Sequence, residues 1–320
     1  MNNRWLFIVN PASADGNGGA KWSAVHRAMM RAGFDPVVWS SEYNGHIEEL
    51  IEHACHKGFR KIASYGGDGS LNAVVNGLMS QQVCKPEEVL LAHYPSGTGN
   101  DWTRFFKVPN NPKQWVEMIN KNVVFKHDLG IIDLFKKGKS AKHYFVNIAG
   151  VAYESKCAVL ITEARKSASL FQGKLFYDFI VLKGLFSFKS PELVFKYDGI
   201  TRKERMFNMC IAICGYNGGG MIPAPYANPS DGVFDITTFE DMSKLTVLKD
   251  YTKLRKGTIL KNPKINAFRT EKIEIERTDK PDYIEADGEF VGMGPATFTS
   301  QKQALRFVIG EAPEVKAFPF

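Results

Sequence analysis

Apolar runs of four to six residues alternate with amphipathic stretches over the first third of the chain. Trp5 to Val9, Pro36 to Ser40, Lys61 to Tyr65 and Val89 to Tyr94 are too short and too uniformly apolar for helices, and they predict buried strands. Between them, Trp22, Val25 and Met29 recur at helical spacing in Ala20 to Ala32. Ile47, Leu50, Ile51 and Ala54 share one face of a helix opened by Gly45-His46, and Leu71 to Met79 continues as a third helix. This β-α-β-α-β-α-β order predicts a doubly wound parallel sheet. Ligands of such sheets sit beyond the carboxyl ends of the strands. The loops expected there are Asn10-Pro11-Ala12-Ser13-Ala14 with the glycines after it, Ser41, Gly66 to Ser70, and Pro95 to Asp101.

The pattern changes near Asp128-Leu129-Gly130. Helical spacing persists through Trp115, Met118 and Ile119. Then Val123 to Leu129, Ile131 to Phe135 and His143 to Ala149 follow one another as strands, with Gly138 in a lysine-rich turn. Further strands are expected over Glu192 to Tyr197, Arg205 to Cys214, Val233 to Phe239, Lys272 to Arg277 and Tyr283 to Val291. Strands joined without helices predict antiparallel pairing, hence a β-sandwich or open barrel. Two helical insertions interrupt it, Ser243 to Arg255 and about Val151 to Phe188. The second interleaves Phe171, Leu175, Phe176, Phe179, Leu182 and Phe186 with Lys174, Lys183 and Lys189. It suits either the cover of a sheet or contact with a lipid surface. The expected organisation is an α/β domain over 1–128 and a β-sandwich domain over 129–320, with the last residues able to pack back on the first domain.

Length agrees with two domains: 320 residues at roughly 100–200 per domain. Lys and Arg total 41 against 34 Asp and Glu, a net charge of +7. That excess suits anionic partners. Nucleic acid is set aside because Arg-rich and RNP-like aromatic motifs are missing. Cysteines 55, 84, 157, 210 and 214 are odd in number and lack a C-x-x-C pair, which argues for a reducing compartment and against a disulfide framework or zinc site. His53-Ala54-Cys55-His56 lies on an amphipathic helix and reads as solvated histidines. The N-terminal apolar run is too short for a signal peptide, and no apolar stretch reaches the ~18 residues of a membrane span. A cytoplasmic protein is expected.

The candidate chemistry lies in the turns. Tyr65-Gly66-Gly67-Asp68-Gly69-Ser70-Leu71-Asn72 is a strand, a glycine turn and a helix. Such a junction lets backbone N–H groups approach a phosphate beside the positive end of a helix. Asp68 would repel that phosphate unless a cation lay between them, which points to Mg²⁺. A helix-capping Asp in a plain turn is the other reading. Pro95-Ser96-Gly97-Thr98-Gly99-Asn100-Asp101 repeats the arrangement at the same sheet edge.

These two segments, with Glu285-Ala286-Asp287-Gly288-Glu289 late in the chain, resemble the diacylglycerol kinase catalytic domain family, the bacterial lipid kinases related to sphingosine and ceramide kinases. The resemblance covers nearly the whole chain and keeps the motif order. A Gly-Gly-Asp-Gly turn alone would be shared with NAD kinases and 6-phosphofructokinases. The resemblance implies a nucleotide-binding domain followed by a β-sandwich, with catalysis in the cleft between them. By it, Asn10, Pro11, Ala12, Ser13, Ala14, Ser41, Gly66, Gly67, Asp68, Gly69, Ser70, Leu71, Asn72 and Thr98 would bind ATP. Asp68 and Asp101 would help place Mg²⁺. Glu289 would accept the hydroxyl proton, with Asp287 on the same face if the segment is one strand. Asn228, Asp231 and Val233 would hold a second, structural Mg²⁺, although an ordinary Asp-Gly turn explains Asp231-Gly232 equally well. The implied activity is ATP-dependent phosphorylation of a hydroxyl on diacylglycerol or a related lipid. A sphingoid-base or ceramide kinase, an NAD kinase and a non-catalytic nucleotide- or lipid-binding regulator are the alternatives. Transient membrane contact is implied, and the oligomeric state, homodimer included, stays open.

Overall fold

The computed structural model describes residues 4–13, 18–136, 139–167, 174–276 and 283–319. Along the chain lie β1 (Leu6–Val9), α1 (Gly18–Arg31), β2 (Val37–Ser40), α2 (His46–His56), β3 (Lys61–Gly66), α3 (Asp68–Ser80), β4 (Leu90–Pro95), α4 (Asp101–Phe105), α5 (Pro112–Lys121) and β5 (Val124–Lys136). Then come β6 (Lys139–Phe145), β7 (Ile148–Ala152), α6 (Tyr153–Ser167), α7 (Lys174–Ser187), β8 (Glu192–Tyr197), β9 (Ile200–Ala212), β10 (Phe234–Glu240) and α8 (Lys244–Arg255). The last are β11 (Ile265–Thr270), β12 (Lys272–Glu276), β13 (Tyr283–Ala286), β14 (Glu289–Met293) and β15 (Ala296–Val308). The chain forms two compact units. One contains residues 1–128 and 303–314, the other residues 129–302 and 315–320.

The first unit is a parallel sheet in the order β2-β1-β3-β4, extended beside β4 by Arg306 and Phe307 of β15. Its inner strands β1, β3 and β4 are almost wholly buried because helices cover both faces. Leu6, Phe7 and Ile8 are fully buried, and the Phe7 ring packs 5.1 Å from Trp22 of α1 and 5.3 Å from Trp115 of α5. Asn111 caps α5, accepting from the amides of Lys113 and Gln114. Two buried histidines tie this core together. The Ser64 hydroxyl lies 2.5 Å from His93 Nδ1. Trp102 Nε1 donates to His127 Nε2 at 3.1 Å, so His127 is a neutral ring whose Nδ1–H donates to the Asp128 carbonyl.

Burial pushes His93 down to about 3 and His127 down to about 4. Folded, each excludes a proton that the unfolded chain takes up near pH 6.5. Their stabilising contribution is therefore full above that value and lost as pH falls toward the folded values. The unfolding free energy from urea titration should fall between about pH 6.5 and about pH 5, by about 1.4 kcal/mol per pH unit for each ring. A flat profile, or an unchanged slope in His127→Phe, would show that the rings are not shielded.

The second unit is built from antiparallel sheets, as expected. One runs β14-β13-β7-β9-β10-β11. In another, β8 pairs with the first half of β9 and with β12, which pairs with Ala296–Thr299 of β15. β9 serves both, so its 13 residues bend the structure into a sandwich. Ile148, Phe207, Ala212 and Phe239 belong to the apolar core, against which Leu185 of α7 and Val247 and Leu254 of α8 pack.

Several elements differ from the expectation: β15 lies where no strand is expected, and the strand expected over His143 to Ala149 is the end of β6 and the start of β7. Val124–Lys136 is one strand, not two. Gly130 does not break it: it pairs with Phe145, whose ring stands 2.1 Å from where a Cβ would be. Ile265–Thr270 is an additional strand, hidden in the sequence by Asn266 and Arg269. Tyr283 to Val291 is a hairpin, β13 and β14, turned at Asp287 and Gly288. Both have left-handed backbones, φ 51° and φ 85°, the geometry of a two-residue type I′ turn. The expected same-face placement of Asp287 and Glu289 therefore fails. The Gly138 turn, Phe171 and Ala14 lie outside the described residues.

Candidate active site

In the first unit, connections from β1 lead outward to β2, and those from β3 lead the other way to β4. This switch point opens a crevice between β1 and β3. Asn10 follows β1, and Gly66 ends β3. The Asn10 amide donates to the Tyr65 carbonyl at 3.1 Å, and its side chain donates to Ser70 Oγ at 3.1 Å. Asn10 Oδ1 accepts from the Ala12 amide, which curls Asn10, Pro11, Ala12 and Ser13 into a turn. Ser13 Oγ reaches both the Asn10 carbonyl, at 2.7 Å, and Ser96 Oγ, at 3.1 Å. The Ser96 amide in turn donates to the Gly66 carbonyl at 2.7 Å. The loops after β1, β3 and β4 are thus bound to one another. Ser41 closes the end of β2, donating its amide to Val9 at 2.9 Å.

The glycines are required by close approach. A Cβ on Gly97 would stand 2.4 Å from the Gly67 Cα, and one on Gly66 would stand 2.1 Å from Ser70 Oγ. Asp68 opens α3, and its carboxylate accepts from the amides of Asp101 and Trp102, at 3.3 and 3.4 Å. It therefore caps α4, and the capping role foreseen for it is real, though on a different helix. A Cβ on Gly99 would lie 3.0 Å from Asp68 Oδ2 and 3.6 Å from Asp101 Oδ2. Two carboxylates converge on one small space beside glycine backbone. That donor set fits a hard divalent cation. Thr98 is exposed on the same turn, whereas Ser70, Leu71 and Asn72 are buried. Asn72 Oδ1 accepts from Asn76, so its side chain braces α3 from within.

In the second unit, Asp287 is buried. Its carboxylate accepts from the amides of Val146 at 3.1 Å, Asn147 at 2.9 Å and Ile148 at 3.2 Å. It locks the β6–β7 connection to the hairpin turn, while Glu289 stands exposed at the start of β14. Glu285 was not singled out from sequence. It is 2% exposed and sits near Glu154 of α6. Burial, then Glu154, then Asp287 and Glu289 raise its carboxyl well above the usual carboxylate range, and the Gly288 amide it accepts only partly offsets this. The clue in the sequence was a glutamate flanked by Ile284 and Ala286 in a strand buried on both sides.

The turn that carries Asn228, Asp231 and Val233 is held by its own hydrogen bonds and by Arg269. Asp231 Oδ1 accepts from the Val233 amide at 3.2 Å, and Arg269 lies 3.4 Å from Asp231 Oδ2. Arg269 also contacts Asp235 at 3.1 Å and the Tyr226 carbonyl at 2.9 Å. Asn228 Oδ1 accepts from the Ser230 amide and hydroxyl. The Arg269 guanidinium thus offsets part of the negative charge of Asp231 and Asp235.

A parallel α/β unit with three joined phosphate-type turns, followed by an antiparallel sandwich, is an architecture suited to binding a nucleotide at the sheet edge. The diacylglycerol kinase catalytic domain family matches residues 4–132, and the YegS C-terminal NAD kinase beta sandwich-like domain family matches residues 144–309. The chain belongs to this family of lipid kinases. YtlR of Bacillus subtilis (strain 168), named as a candidate lipid kinase, is 27% identical over 310 residues, covering 94% of this chain and 98% of that protein. A diacylglycerol kinase of Staphylococcus aureus (strain MRSA252) is 25% identical over 306 residues, 95% of this chain and 92% of its own. A diacylglycerol kinase structure from Bacillus anthracis str. Sterne superposes with a TM-score of 0.69 at 18% identity, over 98% of this chain and 100% of that one, a likeness of fold.

Proposed function

We propose that this lipid kinase transfers the γ-phosphate of ATP to a hydroxyl of diacylglycerol or a closely related lipid. The observation that supports it best is the convergence of Asp68 and Asp101 on Gly99, beside the joined turns of Asn10–Ser13, Gly66–Ser70 and Ser96–Asp101. Phosphoryl transfer is mostly positioning and charge neutralisation. In this reading Asn10, Pro11, Ala12, Ser13, Ser41, Gly66, Gly67, Gly69, Ser70 and Thr98 hold the nucleotide, Leu71 and Asn72 holding α3 in place behind it. Mg²⁺ held by Asp68 and Asp101 would offset charge on the transferred group. Glu289 takes the proton of the lipid hydroxyl as that oxygen attacks. Asp287 acts on it indirectly, by fixing the turn.

The acceptor is met at a membrane surface. On α7, Phe179 and Phe186 are each 63% exposed and Leu182 is 44% exposed, at helical spacing with exposed Lys183. On α8, Leu245 is 68% and Leu248 is 41% exposed, beside Lys249. Apolar side chains among lysines suit peripheral docking on anionic lipid. Among the described residues, no helix is long and apolar enough to cross a membrane.

Glu289→Gln tests the assignment. It should lower lipid phosphorylation by about a hundredfold or more, with ATP binding retained. The doubly substituted Phe179→Ser, Phe186→Ser chain should lose activity on vesicles containing phosphatidylglycerol and keep it on short-chain lipid in solution. Full turnover in Glu289→Gln, or equal activity of the double variant on both substrates, would contradict the respective role.

A further inference from the structure

Two carboxylates in the second unit, the buried Glu285 and the half-buried Glu154, are unused by the chemistry above. Gly150 of β7 is where they meet. A Cβ there would stand 2.6 Å from Glu285 Oε1 and 2.9 Å from Glu154 Oε2, so both oxygens crowd one point. Glycine is needed because no side chain fits between them.

The partners of the two groups are unequal. Glu154 accepts from Asn208 Nδ2 at 3.2 Å, from the Cys210 thiol at 3.2 Å and from Asn217 Nδ2. A carboxylate with three donors is favoured as the anion. Glu285 accepts through Oε2 from the Gly288 amide at 2.9 Å, and its buried Oε1 has no hydrogen-bond partner. A buried carboxyl oxygen without a donor, facing a well-solvated anion, is the arrangement in which that oxygen carries the proton and donates it.

We propose that Glu154 and Glu285 share one proton, carried on Glu285 Oε1 and donated to Glu154, and that this pair positions the Asp287–Gly288 turn from which Glu289 projects. Glu285 then makes one bond in each direction, its hydroxyl to α6 and its carbonyl to the turn. It is a positioning residue. Its effect on turnover rests on the role proposed for Glu289, whereas its protonation does not. The other titratable groups around the pair leave it a single negative charge. Asp287 and Glu289 share its hairpin, and Lys156 of α6 stands 5.4 Å over the Tyr283 ring of the same strand. Burial keeps the Cys157 thiol up at about 12 and raises Cys210 further, so both remain thiols.

Infrared spectroscopy of the purified full-length chain at neutral pH, in wild type, Glu285→Gln and Glu285→Ala, tests this. The wild type should show the carbonyl stretch of a protonated carboxyl, absent from Glu285→Gln. The amide can donate to Glu154 and accept from Gly288, so Glu285→Gln should keep kcat within about threefold, whereas Glu285→Ala should lose about tenfold or more in kcat with KM for ATP unchanged. The proton bound by folded Glu285 stabilises the chain fully below the ordinary carboxylate range, and this contribution is lost as pH rises through the folded value. The melting temperature of wild type should therefore fall relative to Glu285→Gln as pH rises. A band that is missing in wild type, or that persists in Glu285→Gln, overturns the shared proton. Equal loss of kcat in both variants overturns the positioning role. If no sample, wild type included, phosphorylates lipid, the proposed activity fails while the infrared result still decides the pair.

Discussion

Replacing Asp68 with alanine should lower phosphoryl transfer by about a thousandfold while the chain stays folded. Two separate functions of this side chain lead to that expectation. Its carboxylate accepts from the first two amides of α4, so its loss removes a helix cap and costs about 1 kcal/mol of stability. That is a small part of the ~5–15 kcal/mol typical of a folded domain, so the variant remains folded. The larger effect is on charge. Asp68 and Asp101 approach the same space beside Gly99, and removing one leaves half the negative charge that would hold a cation against the phosphates. Asp68→Asn separates the two. Its single amide oxygen can still accept from one of the two α4 amides, so it should regain part of the stability lost in Asp68→Ala, yet its turnover should fall with that of Asp68→Ala. Near-normal turnover in either variant would reduce Asp68 to a cap.

Asp287→Ala should be the most destabilising single change in the second unit, by about 4 kcal/mol. Three consecutive backbone amides donate to this one buried carboxylate, and each orphaned donor costs roughly 1–3 kcal/mol. Asp287→Asn should recover part of the loss, since its oxygen can still accept while its NH₂ faces one of the amides. All five tryptophans, from Trp5 to Trp115, lie in the first unit. Hydrogen exchange should thus show lost protection at Val146 to Ile148 and in β13, while tryptophan fluorescence changes little in the absence of denaturant. Wild-type protection in Asp287→Ala would show that the amides find other partners.

The parallel sheet was legible because each strand is an apolar run and each helix carries its own period. The glycine turns were legible because close backbone approach leaves no other residue type: Gly67 and Gly97 could not both carry a Cβ. The hairpin at Asp287-Gly288 was misread as continuous strand, although Asp-Gly between strand-forming runs is a turn signal, because the alternation of Glu285, Asp287 and Glu289 masked it. The remaining features depend on partners far along the chain. Nothing near Glu285 announces Glu154, and nothing near Asp231 announces Arg269. Gly130 looked like a strand end because the Phe145 ring that covers it lies on the next strand. Local pattern carries the framework of this protein, whereas the electrostatic state of its buried acids is set by tertiary contact.

The central claim is ATP-dependent phosphorylation of a lipid hydroxyl. Purified full-length chain, given γ-labelled ATP and Mg²⁺ with vesicles containing diacylglycerol, a sphingoid base or ceramide in turn, tests it directly, with NAD in vesicle-free buffer as the comparison. Label should appear in phosphatidic acid, more than in any other product, and disappear with Asp68→Ala. Label in NAD alone, or bound ATP with no labelled product in any reaction, would contradict the account.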